Sequence, residues 1–220
     1  DPVFGLSTYV FGTHAEYVCV PEKKSIAIKP TNMSFEESAA VCDGLMLGIN
    51  YIRKIDFKNK PKILINGASG SIGSACVQLA HHYGAEITGV CNTKNLSLVK
   101  SLGADEVIDY TKEDFTQTGE MYDVIFDAVK TISVSQSLKS LNKNGKMILS
   151  AAGMPEMLQG LWISMTSKRK VMTGVISHNA ADILFLKELV EKGKFKPVID
   201  RAYPLEQIAE AHAYAEKGHK

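Results

Sequence analysis

From residue 62 onward, short apolar runs alternate with stretches whose apolar residues recur at helical spacing. The apolar runs predict strands at 62–66, 86–91, 106–109, 122–127 and 146–150. The stretches between them predict helices at 71–83, 95–102 and 134–141. Strand–helix alternation of this kind gives a parallel sheet with helices on both faces, because crossover connections are right-handed. The predicted fold class is therefore α/β, with a doubly wound, Rossmann-type parallel sheet.

The two ends of the chain have a different pattern. Near the N-terminus, β-branched and aromatic residues predict short strands at 15–20 and 25–28. Ser34 and Glu37 then predict a capping box, followed by a helix that Gly44 interrupts before a second helical run at 45–54. Near the C-terminus the pattern predicts an edge strand at 171–176 and helices at 181–192 and 205–216.

A glycine-rich turn joins the strand at 62–66 to its helix. Gly70 lets the backbone approach a pyrophosphate, and Gly73 lets the helix pack closely on the strand. A tight βα turn without a ligand is the alternative, but the strand before the turn and the helix after it favour a dinucleotide. The predicted phosphate-binding residues are Ala68, Ser69, Gly70, Ser71, Ile72 and Gly73, with Ala68 in the place of the first glycine of G-x-G-x-x-G.

The end of the second strand, at 86–91, indicates which dinucleotide binds. Asn92, Thr93 and Lys94 follow that strand without a carboxylate to accept from a ribose 2′-hydroxyl. Hydrogen-bond donors and a positive charge suit a 2′-phosphate, so the predicted cofactor is NADP, although Lys94 could also be an ordinary solvated lysine. Tyr110, after the third strand, could stack on the adenine or contact the 2′-phosphate, or be a half-buried tyrosine.

Small residues follow the fourth and fifth strands, where the nicotinamide ring is expected. Val129 and Ala151 are predicted to form walls of that pocket, whereas Asp127 is interpreted as structural rather than catalytic. No catalytic residue is assigned, because a quinone can take its proton from solvent once hydride has been transferred.

Composition limits the remaining function classes. The chain is 45% hydrophobic and 22% charged with a net charge of +1, which excludes a global field that recruits nucleic acid or membrane. The cysteines Cys19, Cys42, Cys76 and Cys91 lack zinc-finger spacing, and the histidines form no ligand motif, so no metal site is predicted. Free buried thiols and the lack of a signal-peptide pattern favour a cytoplasmic protein. Because Asp1 is not an initiator methionine, the chain is expected to be a fragment or a processed product.

These motifs together resemble the medium-chain dehydrogenase/reductase superfamily, and within it the zinc-free NADPH-dependent quinone oxidoreductases of the zeta-crystallin-like group. The similarity is carried by the segments 11–17, 63–73, 90–95, 101–105, 107–110, 122–127, 194–200 and 211–219. It implies a Rossmann domain at 46–177, with remnants of a GroES-like catalytic domain at 1–45 and 178–220. It also implies that the earlier part of the catalytic domain and its closing strand are missing.

The resemblance implies reduction of a quinone, or of an activated enone or aldehyde, by a homodimer that pairs through the strand at 171–176. Three positions depart from the family pattern: Asp43 stands where zinc-dependent relatives have a ligand cysteine, 47–49 read Leu-Gly-Ile instead of Thr-Ala-Leu, and Lys130 replaces a usual glycine. Two alternatives stay open: a zinc-dependent alcohol dehydrogenase with Asp43 as a ligand, and a non-enzymatic NADPH-binding protein.

Overall fold

The structure is a computed structural model, and it describes residues 1–7, 13–21, 25–173 and 180–218. Residues 174–176 of the predicted edge strand lie outside the described residues, as do the first two residues of the segment 11–17 and the last residue of the segment 211–219. The chain divides into two compact units, Asp1–Met46 with His178–Lys220, and Leu47–Ser177, which we describe separately.

The secondary structure alternates as follows. The strands are β1 (Val3–Gly5), β2 (Ile26–Ile28), β3 (Lys62–Asn66), β4 (Glu86–Cys91), β5 (Glu106–Asp109), β6 (Tyr122–Asp127), β7 (Leu141–Leu149) and β8 (Lys170–Thr173). The helices are α1 (Phe35–Ile52), α2 (Ser71–His82), α3 (Leu96–Ser101), α4 (Val134–Ser137), α5 (Met154–Thr166), α6 (Ala180–Glu191) and α7 (Ile208–Glu216).

The unit Leu47–Ser177 is built on a parallel sheet. Within the described residues this sheet has six strands in the order β5-β4-β3-β6-β7-β8, and each neighbouring pair runs parallel. The chain moves outward from β3 to β5 and then returns to β6 beside β3, which creates a topological switch point at the carboxyl ends of β3 and β6. The predicted doubly wound α/β fold is confirmed.

The central strands are buried because helices cover both faces of the sheet. Ile63, Leu64 and Ile65 of β3 are each 0% exposed, as a continuous apolar run in a parallel sheet predicts. Gly48 lets α1 approach α2 closely, since a Cβ atom there would lie only 3.3 Å from the Leu79 side chain. The sheet and its helices therefore hold the carboxyl ends of the strands in fixed positions.

The unit formed by Asp1–Met46 and His178–Lys220 has much less regular structure. β1 and β2 form a short antiparallel pair, and α6 buries one apolar side. The predicted capping box of α1 is confirmed: the Ser34 amide donates to Glu37 Oε2 at 2.8 Å, and the Glu37 amide donates to Ser34 Oγ at 3.2 Å. That this unit is the remnant of a GroES-like domain stays a prediction.

Several predicted elements differ from the structure. Gly44 does not interrupt α1, because the burial of Leu45, Met46 and Ile49 outweighs the roughly 1 kcal/mol that a glycine costs inside a helix. Residues 15–20 form no strand among the described residues, and Tyr17 is 92% exposed. Strand-forming residues alone are not sufficient there, because a strand also needs a paired neighbour.

Two differences concern the region after residue 130. β7 begins at Leu141, where the predicted helix at 134–141 was expected to end, and continues to Leu149, whereas the predicted strand began only at residue 146. Helix α5 was missed, although six of its large apolar residues recur at helical spacing: Met154, Met157, Leu158, Leu161, Trp162 and Met165. These six residues lie on its exposed side. The buried side, at Gly160 and Ile163, faces β8.

Candidate cofactor-binding site

The turn between β3 and α2 is fixed by backbone hydrogen bonds. The amides of Gly67 and Ala68 both donate to the Val90 carbonyl, at 3.1 and 3.0 Å, and the Gly70 amide donates to the Gly67 carbonyl at 3.0 Å. Gly67 has a φ of +75°, a conformation that glycine adopts readily. The turn therefore presents the start of α2 at the switch point of the sheet.

Two glycines in this turn have different surroundings. A Cβ atom on Gly73 would lie 2.0 Å from the Gly67 carbonyl oxygen, so any side chain there would force the helix away from the strand. A Cβ atom on Gly70 would meet only the Gly67 oxygen, at 3.5 Å, so the space beside Gly70 is open. Gly70 is the N-cap of α2 and has no side chain to bond the first amides of the helix. An anion can therefore approach those amides directly.

The predicted turn residues are not equally placed to contact a ligand. Ala68 is 0% exposed, and its amide is bonded to Val90, so it supports the turn from beneath rather than lining its outer side. Ser69, Gly70 and Ile72 are partly exposed, Ser71 is exposed, and Gly73 is buried. The backbone from Ser69 to Gly73 is the part of the turn that a pyrophosphate could reach.

The loop after β6 lies against the same turn. Val129 packs over Gly67, where a Cβ atom would come within 2.6 Å of Val129 Cγ1, and Val129 remains 47% exposed. Ala151, after β7, is exposed at the neighbouring strand end. The structure thus brings both predicted wall residues to the carboxyl edge of the sheet, on the β6–β7 side of the glycine turn.

A buried polar network shapes that loop. Asp127 is 1% exposed, and its Oδ1 accepts from the Val129 amide at 3.2 Å and the Lys130 amide at 3.0 Å. The Asn66 amide nitrogen donates at 3.0 Å both to Asp127 Oδ1 and to Thr131 Oγ1. Asp127 is therefore occupied in holding the loop, in accord with its structural interpretation.

Lys130 stands where the family resemblance leads one to expect glycine. Its φ of +54° explains the expectation, since a left-handed conformation favours glycine. Its ammonium lies 3.8 Å from Glu156 Oε1, and Glu156 Oε2 accepts from the Gly153 amide at 2.7 Å. The lysine thereby connects the loop after β6 to the start of α5.

The polar edge formed by the ends of β4 and β5 contains Asn92, Thr93, Asp109, Thr111 and Lys112. Asn92 Oδ1 is buried without a hydrogen-bond partner among the described residues. Thr93 donates its hydroxyl proton to Asp109 Oδ2 at 2.5 Å, and Thr111 donates its own to Asp109 Oδ1 at 2.7 Å. The sequence predicted the first two residues as cofactor contacts but missed Asp109.

The charge on Asp109 is strongly stabilised. Hydrogen bonds, first from Thr93 and then from Thr111, lower the pKa of the Asp109 carboxyl to about 2. The Lys112 ammonium lies 3.5 Å from Oδ2. A signal for part of this arrangement exists in the sequence, because an aspartate two residues before a threonine forms a local turn in which the Thr111 amide donates to Oδ1, here at 3.0 Å.

Lys94 and Tyr110 lie close to this polar edge in the sequence and are both exposed, Tyr110 by 56%. The Tyr110 amide donates to the Cys91 carbonyl at 3.1 Å, which continues the pairing of β4 and β5 by one residue. Both side chains are thus accessible at the end of the sheet where the adenosine portion is predicted.

The thiols and carboxylates do not suggest other chemistry. Cys42, Cys76 and Cys91 are buried, and burial raises the pKa of the Cys42 and Cys91 thiols to about 11, whereas Cys19 is exposed, contrary to the prediction of buried thiols. Asp43 is exposed on α1, and in the described part of the chain no group of three or more potential ligands could hold a metal ion. No described helix is both long and apolar enough to cross a bilayer.

Comparison with known proteins identifies the family. Residues 102–220 match the family model described as zinc-binding dehydrogenase. A chloroplastic NADPH-dependent alkenal/one oxidoreductase of Arabidopsis thaliana is 34% identical over 95% of the chain, and a chloroplastic quinone-oxidoreductase of Triphysaria versicolor is 33% identical over 97%. The chain belongs to the medium-chain dehydrogenase/reductase superfamily, in its quinone oxidoreductase-like group. The predicted membership is therefore confirmed.

The fold comparison agrees with the observed architecture. A quinone oxidoreductase structure from Coxiella burnetii superposes with a TM-score of 0.88 at 24% identity, over 99% of this chain and 69% of that one. The chain spans 51% of the Arabidopsis relative and 68% of the Triphysaria relative. The similarity therefore covers nearly all of this chain but only part of each plant relative. For this reason the activity of the whole protein is stated below as a proposal.

The predicted cytoplasmic localisation is wrong on this comparison, because both plant relatives are named as chloroplastic. The prediction relied on thiols and on general composition. An organelle address is a separate segment that a receptor reads, so the composition of a folded domain does not report it.

Proposed function

We propose that this protein reduces a quinone or an activated enone, using NADPH as the hydride donor. The observation that carries the proposal is the glycine turn, in which open space beside Gly70 adjoins the uncapped first amides of α2. The relatives named as NADPH-dependent alkenal/one oxidoreductase and quinone-oxidoreductase support both the cofactor and the substrate class. We assign the unit Leu47–Ser177 as the cofactor domain and the other unit as part of a GroES-like catalytic domain.

The residues present fit a dinucleotide at both ends of the site. The backbone of Ser69–Gly73 would hold the diphosphate, while the unpartnered Asn92 Oδ1 and the exposed Lys94 and Tyr110 are available to the adenosine portion. Val129 and Ala151, which are exposed at the ends of β6 and β7, would line the nicotinamide ring.

The chemistry divides between the cofactor and the chain. NADPH supplies the hydride when bound, and solvent can supply the proton that completes reduction of a quinone. The chain's own part is to bind and orient: Asp127 fixes the loop that carries Val129, and the dipole and amides of α2 offset the diphosphate charge. No catalytic side chain is required by this proposal.

Nucleotide binding and turnover test the proposal separately. Calorimetry should detect NADPH binding to the folded 220-residue chain, and the full-length protein should oxidise NADPH when a simple quinone or an alkenal is added. A chain that binds neither NADPH nor NADH at millimolar concentration would overturn the cofactor assignment. NADPH binding without oxidation in the full-length protein would instead support a non-enzymatic binding protein, and activity that is lost with a chelator would support a zinc dehydrogenase.

We further propose that the protein is a homodimer. β8 is an edge strand of the sheet among the described residues, and an open edge can pair with its own copy across a two-fold axis. Beside it, α5 presents a stripe of large apolar side chains at helical spacing, each between 48% and 77% exposed: Met154, Met157, Leu158, Leu161, Trp162 and Met165. With the strand edge, such a stripe would supply much of the roughly 800 Å² per partner that a stable interface buries.

Light scattering tests the dimer. The unaltered chain should have twice the monomer mass, and Leu158→Glu should give monomers, because it places a charge in the stripe. Leu184→Glu on α6 is the matched control, since Leu184 is similarly exposed at 56% but lies outside the stripe. A monomer mass for the unaltered chain at micromolar concentration would contradict the proposal.

A further inference from the structure

The polar edge includes a carboxylate that the proposed function does not use. Asp109 is 9% exposed, and its two carboxylate oxygens accept four hydrogen bonds or ion-pair contacts, from Thr93, Thr111 and Lys112. It comes from β5, but it reaches the loop after β4 because Cys91 and Asp109 are paired in register. Asp109 therefore sits beneath the residues predicted to recognise the ribose 2′ position.

The hydrogen bond from Thr93 to Asp109 determines whether the Thr93 hydroxyl can donate to a ligand or only accept from it. A threonine has one hydroxyl proton, and here it is donated to Asp109 Oδ2 at 2.5 Å. The Thr93 oxygen can then only accept. Thr111 Oγ1 lies 3.4 Å from it but donates its own proton to Asp109 Oδ1, so it provides no substitute donor.

A 2′-phosphate and a 2′-hydroxyl respond oppositely to such an arrangement. A phosphate at neutral pH carries nearly two negative charges and chiefly accepts hydrogen bonds, so it gains nothing from an oxygen that only accepts. A ribose hydroxyl can donate, and two acceptors are present: the Thr93 oxygen, whose proton is donated to Asp109, and Asn92 Oδ1, which is buried without a hydrogen-bond partner among the described residues. The positive charges that favour phosphate come instead from Lys94 and Lys112, and Lys112 is already paired with Asp109.

We propose that Asp109 is a positioning residue that limits the preference of this site for NADPH over NADH, because it takes the Thr93 hydroxyl proton and pairs with Lys112. The inference rests on the proposed function, since it concerns the 2′ end of the same dinucleotide. The low pKa of Asp109, about 2, means that the carboxylate keeps its charge throughout the physiological range. The effect of Asp109 on the preference between NADPH and NADH therefore does not change with pH in that range.

An isosteric substitution reverses the arrangement. Asp109→Asn keeps the shape but replaces one acceptor by an amide donor, which can donate to Thr93 and leave the threonine proton for the phosphate. The substitution also removes the ion pair between Asp109 and Lys112, so the Lys112 ammonium becomes available to the phosphate. We expect the ratio of NADPH affinity to NADH affinity to rise by roughly tenfold. A carboxylate that only supported the loop would, when replaced, weaken both nucleotides by the same factor.

A double-mutant cycle measures the Thr93 share of this effect. Thr93→Val should lower the NADPH:NADH affinity ratio at least about threefold more in the Asp109→Asn background than in the unaltered chain, because only there is the proton free. The affinities are measured by calorimetry with NADPH and NADH, and thermal unfolding shows which variants are folded. If Asp109→Asn does not fold, the Thr93→Val single variant still tests the inference. A large loss of NADPH affinity with no loss of NADH affinity would show that Thr93 already donates to the phosphate, and this result would overturn the inference.

The outcomes separate this inference from the proposed function. If the unaltered chain binds neither nucleotide, the proposed function fails and takes the inference with it. If NADPH binds but Asp109→Asn lowers the NADPH:NADH ratio, or if the Thr93→Val effects are equal in both backgrounds, the proposed function stands and the role of Asp109 is refuted.

Discussion

The glycine turn and the polar edge lie at neighbouring strand ends of one sheet, yet they are built differently. The turn depends on the backbone: its amides bond to the Val90 carbonyl, and Gly73 has no room for a side chain. The polar edge depends on side chains, with Asp109 joining Thr93, Thr111 and Lys112. The turn thus fixes where a dinucleotide can lie, whereas the edge determines which dinucleotide is preferred.

This difference has a consequence for mutation. Changes in the turn should affect folding or the binding of every dinucleotide, because the diphosphate is common to all of them. Changes in the polar edge should leave folding largely intact and alter the ratio between NADPH and NADH. The four predictions below test this division, beginning with the largest expected effect.

Gly73→Ala should disrupt the fold. The added Cβ atom would lie 2.0 Å from the Gly67 carbonyl oxygen, and this neighbour is backbone that cannot rotate away. We expect a loss of about 3 kcal/mol in the free energy of unfolding, together with loss of binding of both nucleotides. Urea unfolding followed by circular dichroism measures the first effect. Stability equal to that of the unaltered chain would show that the helix and strand are less closely packed than described.

Gly70→Ala should leave the fold in place but remove dinucleotide binding. The new Cβ atom meets only the Gly67 oxygen at 3.5 Å, and the φ of −73° is accessible to alanine, so destabilisation should be about 1 kcal/mol or less. The methyl group would stand where the diphosphate must approach, and both nucleotides should bind at least about tenfold more weakly. Calorimetry with NADPH and NADH checks this, and an unequal loss would contradict the assignment of a shared diphosphate contact.

The same division explains what the sequence could predict. The strands, the turn and α2 follow from local patterns, because each depends on the periodicity and glycine spacing of one continuous segment. Asp109 acts through a residue sixteen positions away, and that contact exists only because β4 and β5 pair in register. No pattern within either segment indicates it.

The buried side of helix α5 could not be predicted for a related reason. Its buried side is defined by β8, which Gly160 allows to approach so closely that a Cβ atom would lie 2.9 Å from Val171. Its outer side carries large apolar residues such as Trp162, 68% exposed, which the sequence alone does not distinguish from core residues. Tertiary neighbours, rather than local propensity, decide which of its two apolar sides is buried.

Lys94→Glu should separate the two nucleotides. Reversing this exposed charge places a carboxylate near the predicted 2′-phosphate, so NADPH should bind roughly tenfold or more weakly, while NADH should change by less than about threefold. The difference should shrink as salt is added. Lys143→Glu is the matched control, because it makes the same change of charge at an exposed lysine near the start of β7, which β3 and β6 separate from β4 in the sheet. Equal losses for both nucleotides would remove the argument for a 2′-phosphate.

The smallest expected effect is the acid dependence of the polar edge. Because the folded-state pKa of Asp109, about 2, lies below the ordinary value of about 3.9, its ionisation stabilises the fold above that ordinary value. This stability is lost as the pH falls from about 5 toward 2. The urea midpoint of the unaltered chain relative to Asp109→Asn should therefore be constant above about pH 5 and decrease below it.

Thr93→Val provides the control for this acid dependence. It keeps the Asp109 carboxylate but removes the hydrogen bond that contributes most to its low pKa, so the carboxylate should protonate at higher pH. The loss of stability should begin near the same pH as in the unaltered chain, because the unfolded-state pKa is unchanged, but it should be smaller and should level off at a higher pH. If the midpoint difference between the unaltered chain and Asp109→Asn does not change between about pH 5 and about pH 3, the hydrogen bonds at Asp109 do not stabilise its charge, and the polar edge is no more than a surface loop.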